Sequence, residues 1–160
     1  MNNNIVDLND LENNPTPRVP VCLCLDTSGS MGRIVRGETK STGKTVYNDG
    51  QMWNIVTGGI SAINDLNDGL NQFFEAIRTD EVAVYSAEIC VITFGGKKAE
   101  VISNFATVDQ IDTSFSLVAD GDTYMGEAVN MALDRLEKRK QAYKDKGIDY
   151  FQPWLVIMTD

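Results

Sequence analysis

Pro20-Val21-Cys22-Leu23-Cys24-Leu25-Asp26-Thr27-Ser28-Gly29-Ser30-Met31 is an apolar run that ends in an acid, then carries two hydroxyls at a spacing of two. Val21 to Leu25 are continuously apolar, the pattern of a short strand buried on both faces. Asp26, Ser28 and Ser30 then fall on one tight loop at the C-terminal end of that strand. Three hard oxygen donors can point there at a common centre, which suits a divalent cation better than it suits packing. The same residue types have a plainer use, because Asp and Ser side chains also cap turns.

Working outward, residues 1–18 are rich in Asn, Asp and Pro and read as a flexible lead-in, leaving 19–160 as one domain. From about 33 to 59 the character changes. Thr45-Val46-Tyr47 and Gln51-Met52-Trp53 flank Asn48-Asp49-Gly50, a hairpin signal. This segment reads as an insertion that Gly37, Gly43, Gly58 and Gly59 let fold over the preceding loop. Tyr47, Met52 and Trp53 are expected to fill the hairpin's own small core rather than to meet a partner. Ile60, Ile63, Leu66, Leu70, Phe73 and Ile77 then recur at helical spacing, predicting a helix over about 61–78.

Ala87-Glu88-Ile89-Cys90-Val91-Ile92-Thr93-Phe94 reads as a second core strand, paired with a shorter one over about 100–103. The polar loop Ala119-Asp120-Gly121-Asp122-Thr123 leads into a helix over about 126–146, with Met125, Val129, Ala132, Leu133 and Leu136 as its apolar stripe. Trp154-Leu155-Val156-Ile157-Met158 is a third buried strand and runs into Thr159-Asp160. Strands joined by helical crossovers predict an α/β fold with a doubly wound, mostly parallel sheet flanked by helices. Such folds collect ligands at the C-terminal ends of strands, where strand order reverses. The Asp26 loop and Asp160 sit at strand ends and the Thr123 loop lies just before a helix N-terminus, each a place where such a fold keeps its ligand.

Composition removes several chemistries. With no histidine, neither a Ser-His-Asp triad nor a His-ligated metal can exist. The three cysteines, Cys22, Cys24 and Cys90, lie in expected strands and read as small buried hydrophobes of a reducing compartment. The net charge of −9 opposes nucleic-acid binding. Lys138-Arg139-Lys140, with Lys144 and Lys146, closes a helix and reads as a solvated face that complements the helix dipole. No stretch has the length and apolarity of a membrane span or a signal peptide, so a cytoplasmic setting is expected.

On these residues the chain resembles the von Willebrand factor A (VWA) domain family. Asp26-Thr27-Ser28-Gly29-Ser30 matches that family's D-x-S-x-S motif for a metal-ion-dependent adhesion site (MIDAS). Thr123 matches its second-loop threonine and Asp160 its third-loop aspartate. Asn64-Asp65-Leu66-Asn67-Asp68-Gly69-Leu70 and Val91-Ile92-Thr93-Phe94 look like the TerY-like branch associated with tellurium resistance. The resemblance implies a Rossmann-like fold. It also implies Mg2+ or Mn2+ held directly by Ser28, Ser30 and Thr123, with Asp26 and Asp160 acting through bound water. A carboxylate of a protein partner would complete the shell, without catalysis, in an intracellular stress or metal-resistance complex.

The chain departs from that pattern in two places. About 26 residues intervene between the first motif and its helix, and the chain stops on Asp160 where the family continues, so a C-terminally truncated domain is expected. Taken alone, Thr123 reads as a helix N-cap, and Asp120 and Asp122 as loop-shaping acids. Two other functions compete. A phosphotransferase of haloacid-dehalogenase type would use Asp26 as nucleophile, but needs an acid where Ser28 stands. A secreted VWA adhesin is the other.

Overall fold

The computed structural model describes residues 13–48 and 50–160. Its centre is a four-stranded sheet of β1 (Val19–Asp26), β4 (Ala87–Gly95), β5 (Lys98–Thr107) and β6 (Trp154–Met158), in the order β5-β4-β1-β6. β1 runs parallel to β4 on one side and to β6 on the other, whereas β5 pairs antiparallel with β4. The expectation of a mostly parallel sheet therefore holds for three strands, and the fold is mixed α/β. The register aligns the strand ends: Asp26 lies beside Phe94, and Leu25 beside Met158.

Successive side chains of a strand point to opposite faces, and here the two faces carry different helices. Leu23, Leu25, Ile89 and Val91 pack with Ile63, Leu70 and Phe74 of α1 (Ala62–Thr79). Cys22, Cys24, Cys90, Ile92 and Phe94 pack with Ala128, Ala132 and Leu136 of α3 (Met125–Lys146). A single helical turn, α2 (Ala83–Ser86), precedes β4. Burial on both faces explains why Val21–Leu25 of β1 and Ile89–Ile92 of β4 are apolar runs rather than alternating.

Helix ends follow local chemistry. Ser61 caps α1, its hydroxyl accepting from the Asn64 N–H at 3.4 Å, a contact type worth about 1 kcal/mol. α3 stops at Gly147, whose φ of 65° permits the left-handed turn that returns the Ile148 N–H to the Tyr143 carbonyl. The buried stripe of α3 is Ala128, Ala132, Leu136, Arg139 and Tyr143. Leu133, expected on that stripe, is exposed instead.

Arg139 corrects the reading of the basic cluster as a solvated face, because it is 3% exposed. Its Nε donates to Glu88 Oε2 at 2.6 Å, and Tyr143 donates its hydroxyl to the same oxygen. Arg18 Nε lies 3.2 Å from Glu88 Oε1. The Arg139 guanidinium also stands 5.3 Å from the Tyr143 ring and 5.9 Å from the Phe105 ring. Burial works against the Arg139 charge, but Glu88 outweighs it, and the group is held above its ordinary range. Arg18 bridges to Tyr150 through the backbone and Asn14 donates to the Tyr85 carbonyl, so the last part of the lead-in is fastened to the domain. The remainder, 1–12, lies outside the described residues.

The inserted segment forms a hairpin of β2 (Ile34–Asn48) and β3 (Gln51–Ser61), with Asn48 opposite Gln51. It is longer than the sequence signal implied. Gly50 has a φ of 71°, the conformation for which a turn selects glycine; Asp49 lies outside the described residues. Of the residues expected to fill the hairpin, only Trp53 is half-buried, whereas Tyr47 is 68% exposed and Met52 64%. A two-stranded sheet has no second layer to close a core over them.

Candidate metal site

Strand order reverses at β1, whose C-terminal end has β4 on one side and β6 on the other. Asp26 closes β1 there and is 1% exposed. Its Oδ1 accepts from the Ser28 N–H at 2.7 Å, and its Oδ2 accepts from the Thr159 hydroxyl at 2.6 Å. The first bond is the turn-capping contact anticipated as the plainer role. The second ties the loop after β1 to the loop after β6.

From Ser28 the polar run continues outward. Ser28 Oγ and Ser30 Oγ lie 3.2 Å apart, and the Ser30 hydroxyl donates to Asp160 Oδ1 at 2.9 Å. Asp160 Oδ2 is 3.6 Å from Arg33 Nη2, on a side chain 56% exposed. Ser28 is buried and Ser30 half-buried, so the cluster runs from the core to the surface. Beside it opens a cavity of about 320 Å3, bordered by Met31, Arg33, Asp65, Met158, Thr159 and Asp160.

The loop carrying Thr123 is stitched to this cluster through its backbone. Gly29 N–H donates to the Gly121 carbonyl at 2.9 Å, and Asp120 N–H to the Thr27 carbonyl at 2.8 Å. Gly96 and residues 120–122 exchange two further bonds, Gly96 N–H to Asp120 and Asp122 N–H to Gly96. The approach is close enough to require glycine: a Cβ on Gly121 would stand 2.2 Å from the Gly96 carbonyl oxygen. Gly95 is likewise pressed against Thr27, its Cβ position 2.3 Å from Thr27 Oγ1. Thr123 itself is exposed, two residues beyond Gly121. The N-cap position of α3 belongs to Tyr124, not to Thr123.

The structure thus brings Asp26, Ser28, Ser30 and Asp160 into one hydrogen-bonded cluster and sets Thr123 on the adjoining loop. The donor set fits a small hard cation. Adjacent corners of an octahedron with bonds of about 2.1 Å lie about 3 Å apart, close to the Ser28–Ser30 and Ser30–Asp160 oxygen spacings. Asp26 has both oxygens engaged, which leaves it best suited to act through an intervening water. Among the described residues no group of three or more His, Cys, Asp and Glu could hold a metal ion. A site built from two carboxylates and several hydroxyls has no such group.

Two contributors escaped the sequence reading. The Thr159 hydroxyl binds Asp26, and its signal was only adjacency to Asp160. Arg33 neutralises part of Asp160 from the start of the insertion, with no motif to mark it. The cysteines stand apart from this site: all three are free and fully buried. Hydrogen bonding with Cys22 and burial push the Cys24 thiol up, which keeps it neutral.

No family model matches this chain, and no curated protein matches it. Among solved structures, it is similar to an uncharacterized membrane-spanning protein from Vibrio fischeri at 11% identity and a TM-score of 0.43. That match takes in 75% of this chain, which spans about half (51%) of the Vibrio protein's length. A likeness this loose carries no argument about fold or function. Among the described residues, no helix is long and apolar enough to cross a membrane.

Proposed function

We propose that this chain is a divalent-metal-dependent protein-interaction module of VWA type. Mg2+ or Mn2+ would be held at a MIDAS-like site, with Ser28, Ser30 and Thr123 as direct hydroxyl ligands and Asp26 and Asp160 behind bound water. The observation that carries this reading is the hydrogen-bonded run Thr159–Asp26–Ser28–Ser30–Asp160 at the reversal of strand order. Helices on both faces of the β5-β4-β1-β6 sheet are compatible with a domain of that kind. Neutral hydroxyl ligands leave a cation electron-poor, so a partner's Asp or Glu can complete its shell. The resemblance to the TerY-like branch sets such a contact in an intracellular stress or metal-resistance assembly.

Titration calorimetry with MgCl2 and MnCl2 tests the site on the whole chain and on Asp26→Ala and Ser30→Ala. Binding by the parent protein that weakens at least tenfold in both variants is the expected result. Ser30 is half-buried, so its variant is expected to fold even if Asp26→Ala does not. Equal affinity in the parent and Ser30→Ala, or no binding by the parent, refutes the proposal.

A further inference from the structure

The two acids of the cluster are neutralised differently. Asp26 accepts from neutral donors, the Ser28 N–H and the Thr159 hydroxyl. Asp160 gives one oxygen to the Ser30 hydroxyl at 2.9 Å and turns the other towards a charge, Arg33 Nη2 at 3.6 Å. Carboxylates that share a cluster repel each other, and a guanidinium beside one of them relieves that repulsion. Arg33 thus does for Asp160 what a divalent cation would do for the cluster as a whole. The two cannot be accommodated equally well together, because like charges on one carboxylate repel.

The backbone keeps Arg33 where it can compete. Its N–H donates to the Ser30 carbonyl at 2.9 Å, closing the Gly29–Gly32 turn, and its carbonyl accepts from the Ala62 N–H at the start of α1, also at 2.9 Å. The main chain is therefore tied between Ser30 and a helix, whereas the side chain is 56% exposed and has solvent to turn into. Arg36, three residues on, is engaged elsewhere, its Nε donating to Asp65 Oδ1 at 2.9 Å. Exposed ion pairs are weak, so a divalent cation can break the Arg33–Asp160 contact, but at some loss of affinity.

We infer that Arg33 is a built-in competitor for the cation: its guanidinium holds Asp160 until a divalent ion takes that carboxylate, which raises the concentration at which the site fills. The inference rests on the metal-site reading above. It is tested by titration calorimetry with MgCl2 and MnCl2 on the whole chain, comparing the parent with Arg33→Gln, Arg33→Lys and Lys40→Gln. Arg33→Gln is expected to bind about fivefold more tightly, the upper end of what an exposed pair is worth. Arg33→Lys keeps the charge and should lie closer to the parent than to Arg33→Gln. Lys40→Gln removes the same charge further along β2 and should leave the affinity nearly unchanged. In 15N-resolved spectra the Arg33 Nε–H signal, identified by its absence from Arg33→Gln, should move during the MgCl2 titration with the midpoint of the heat.

Equal or weaker binding by Arg33→Gln, with Ser30→Ala still impaired, overturns the competitor and leaves the metal site standing. So does an equal gain in Lys40→Gln, which is the general effect of one positive charge fewer, or an Arg33 signal that ignores MgCl2 while heat is released. No binding by the parent or by any Arg33 variant overturns both readings.

Discussion

Glu88→Gln should be the most damaging conservative change outside the Asp26–Ser28–Ser30–Asp160 cluster. Glu88 is fully buried and faces Arg18 at 3.2 Å and Arg139 at 2.6 Å, with both arginine side chains at most 3% exposed. It also accepts the Tyr143 hydroxyl. Glutamine preserves the volume and one acceptor but removes the carboxylate that faces both guanidinium groups. Removing one partner of a buried ion pair costs about 3–5 kcal/mol, because the opposite charge stays buried without compensation. With a urea slope of about 2 kcal/mol per M, the midpoint should fall by about 1.5–2.5 M. Thermal unfolding should drop by roughly 10–15 °C for a domain of this size. Replacing the whole group together, as Arg18→Met/Glu88→Leu/Arg139→Met, should recover most of that loss, since apolar packing can substitute for a buried ionic cluster. A midpoint shift below about 0.5 M in Glu88→Gln, corresponding to about 1 kcal/mol on that slope, would refute the burial argument.

Two further outcomes follow from the same geometry. Burial, with Glu88 beside it, raises the Tyr143 phenol above its usual value. The stabilisation this brings is therefore complete below the unfolded-state value of about 10 and is lost as pH rises above it. Urea titrations between pH 9 and 11 should show stability falling by up to about 1.4 kcal/mol per pH unit more steeply in the parent than in Tyr143→Phe. Parallel slopes would contradict the assignment. Gly121→Ala should force the Thr123 loop away from Gly96, because φ is 66° and the new methyl would meet a carbonyl oxygen. Calorimetry should then show at least tenfold weaker Mg2+ binding, with far-UV circular dichroism unchanged. Undiminished affinity would show that the stitched loops do not set the site.

Local signals in the sequence were strongest where burial imposes one pattern. The continuous apolar runs at Val21–Leu25 and in Ala87–Phe94 mark both central strands, because a strand covered on each face has no polar side to show. Asp26, Ser28, Ser30 and Asp160 were legible for a related reason: oxygen donors following an apolar strand have little packing role. The α3 stripe was read only in part: Ala132 and Leu136 were placed on it, but an alanine at 128 looks unremarkable and Arg139 looks solvated. Only the tertiary partner Glu88 makes that arginine a core residue. Thr159 could not be read at all, since its role depends on a contact with Asp26 across 133 residues of sequence. The hairpin turn was visible in Asn48-Asp49-Gly50, but no local signal revealed how far its strands extend or that Tyr47 and Met52 face solvent.

That 133-residue separation also orders events in time. Asp26 and Ser28 leave the ribosome early, whereas Thr159 and Asp160 arrive after every other described element. Contacts between distant parts of a chain close late, because the intervening loop must first lose its freedom. A nascent chain therefore holds only Asp26, Ser28 and Ser30 of the cluster until β6 docks beside β1. Occupancy of that site would report that β6 is in place, and an ion lodged there would act as a clasp on it.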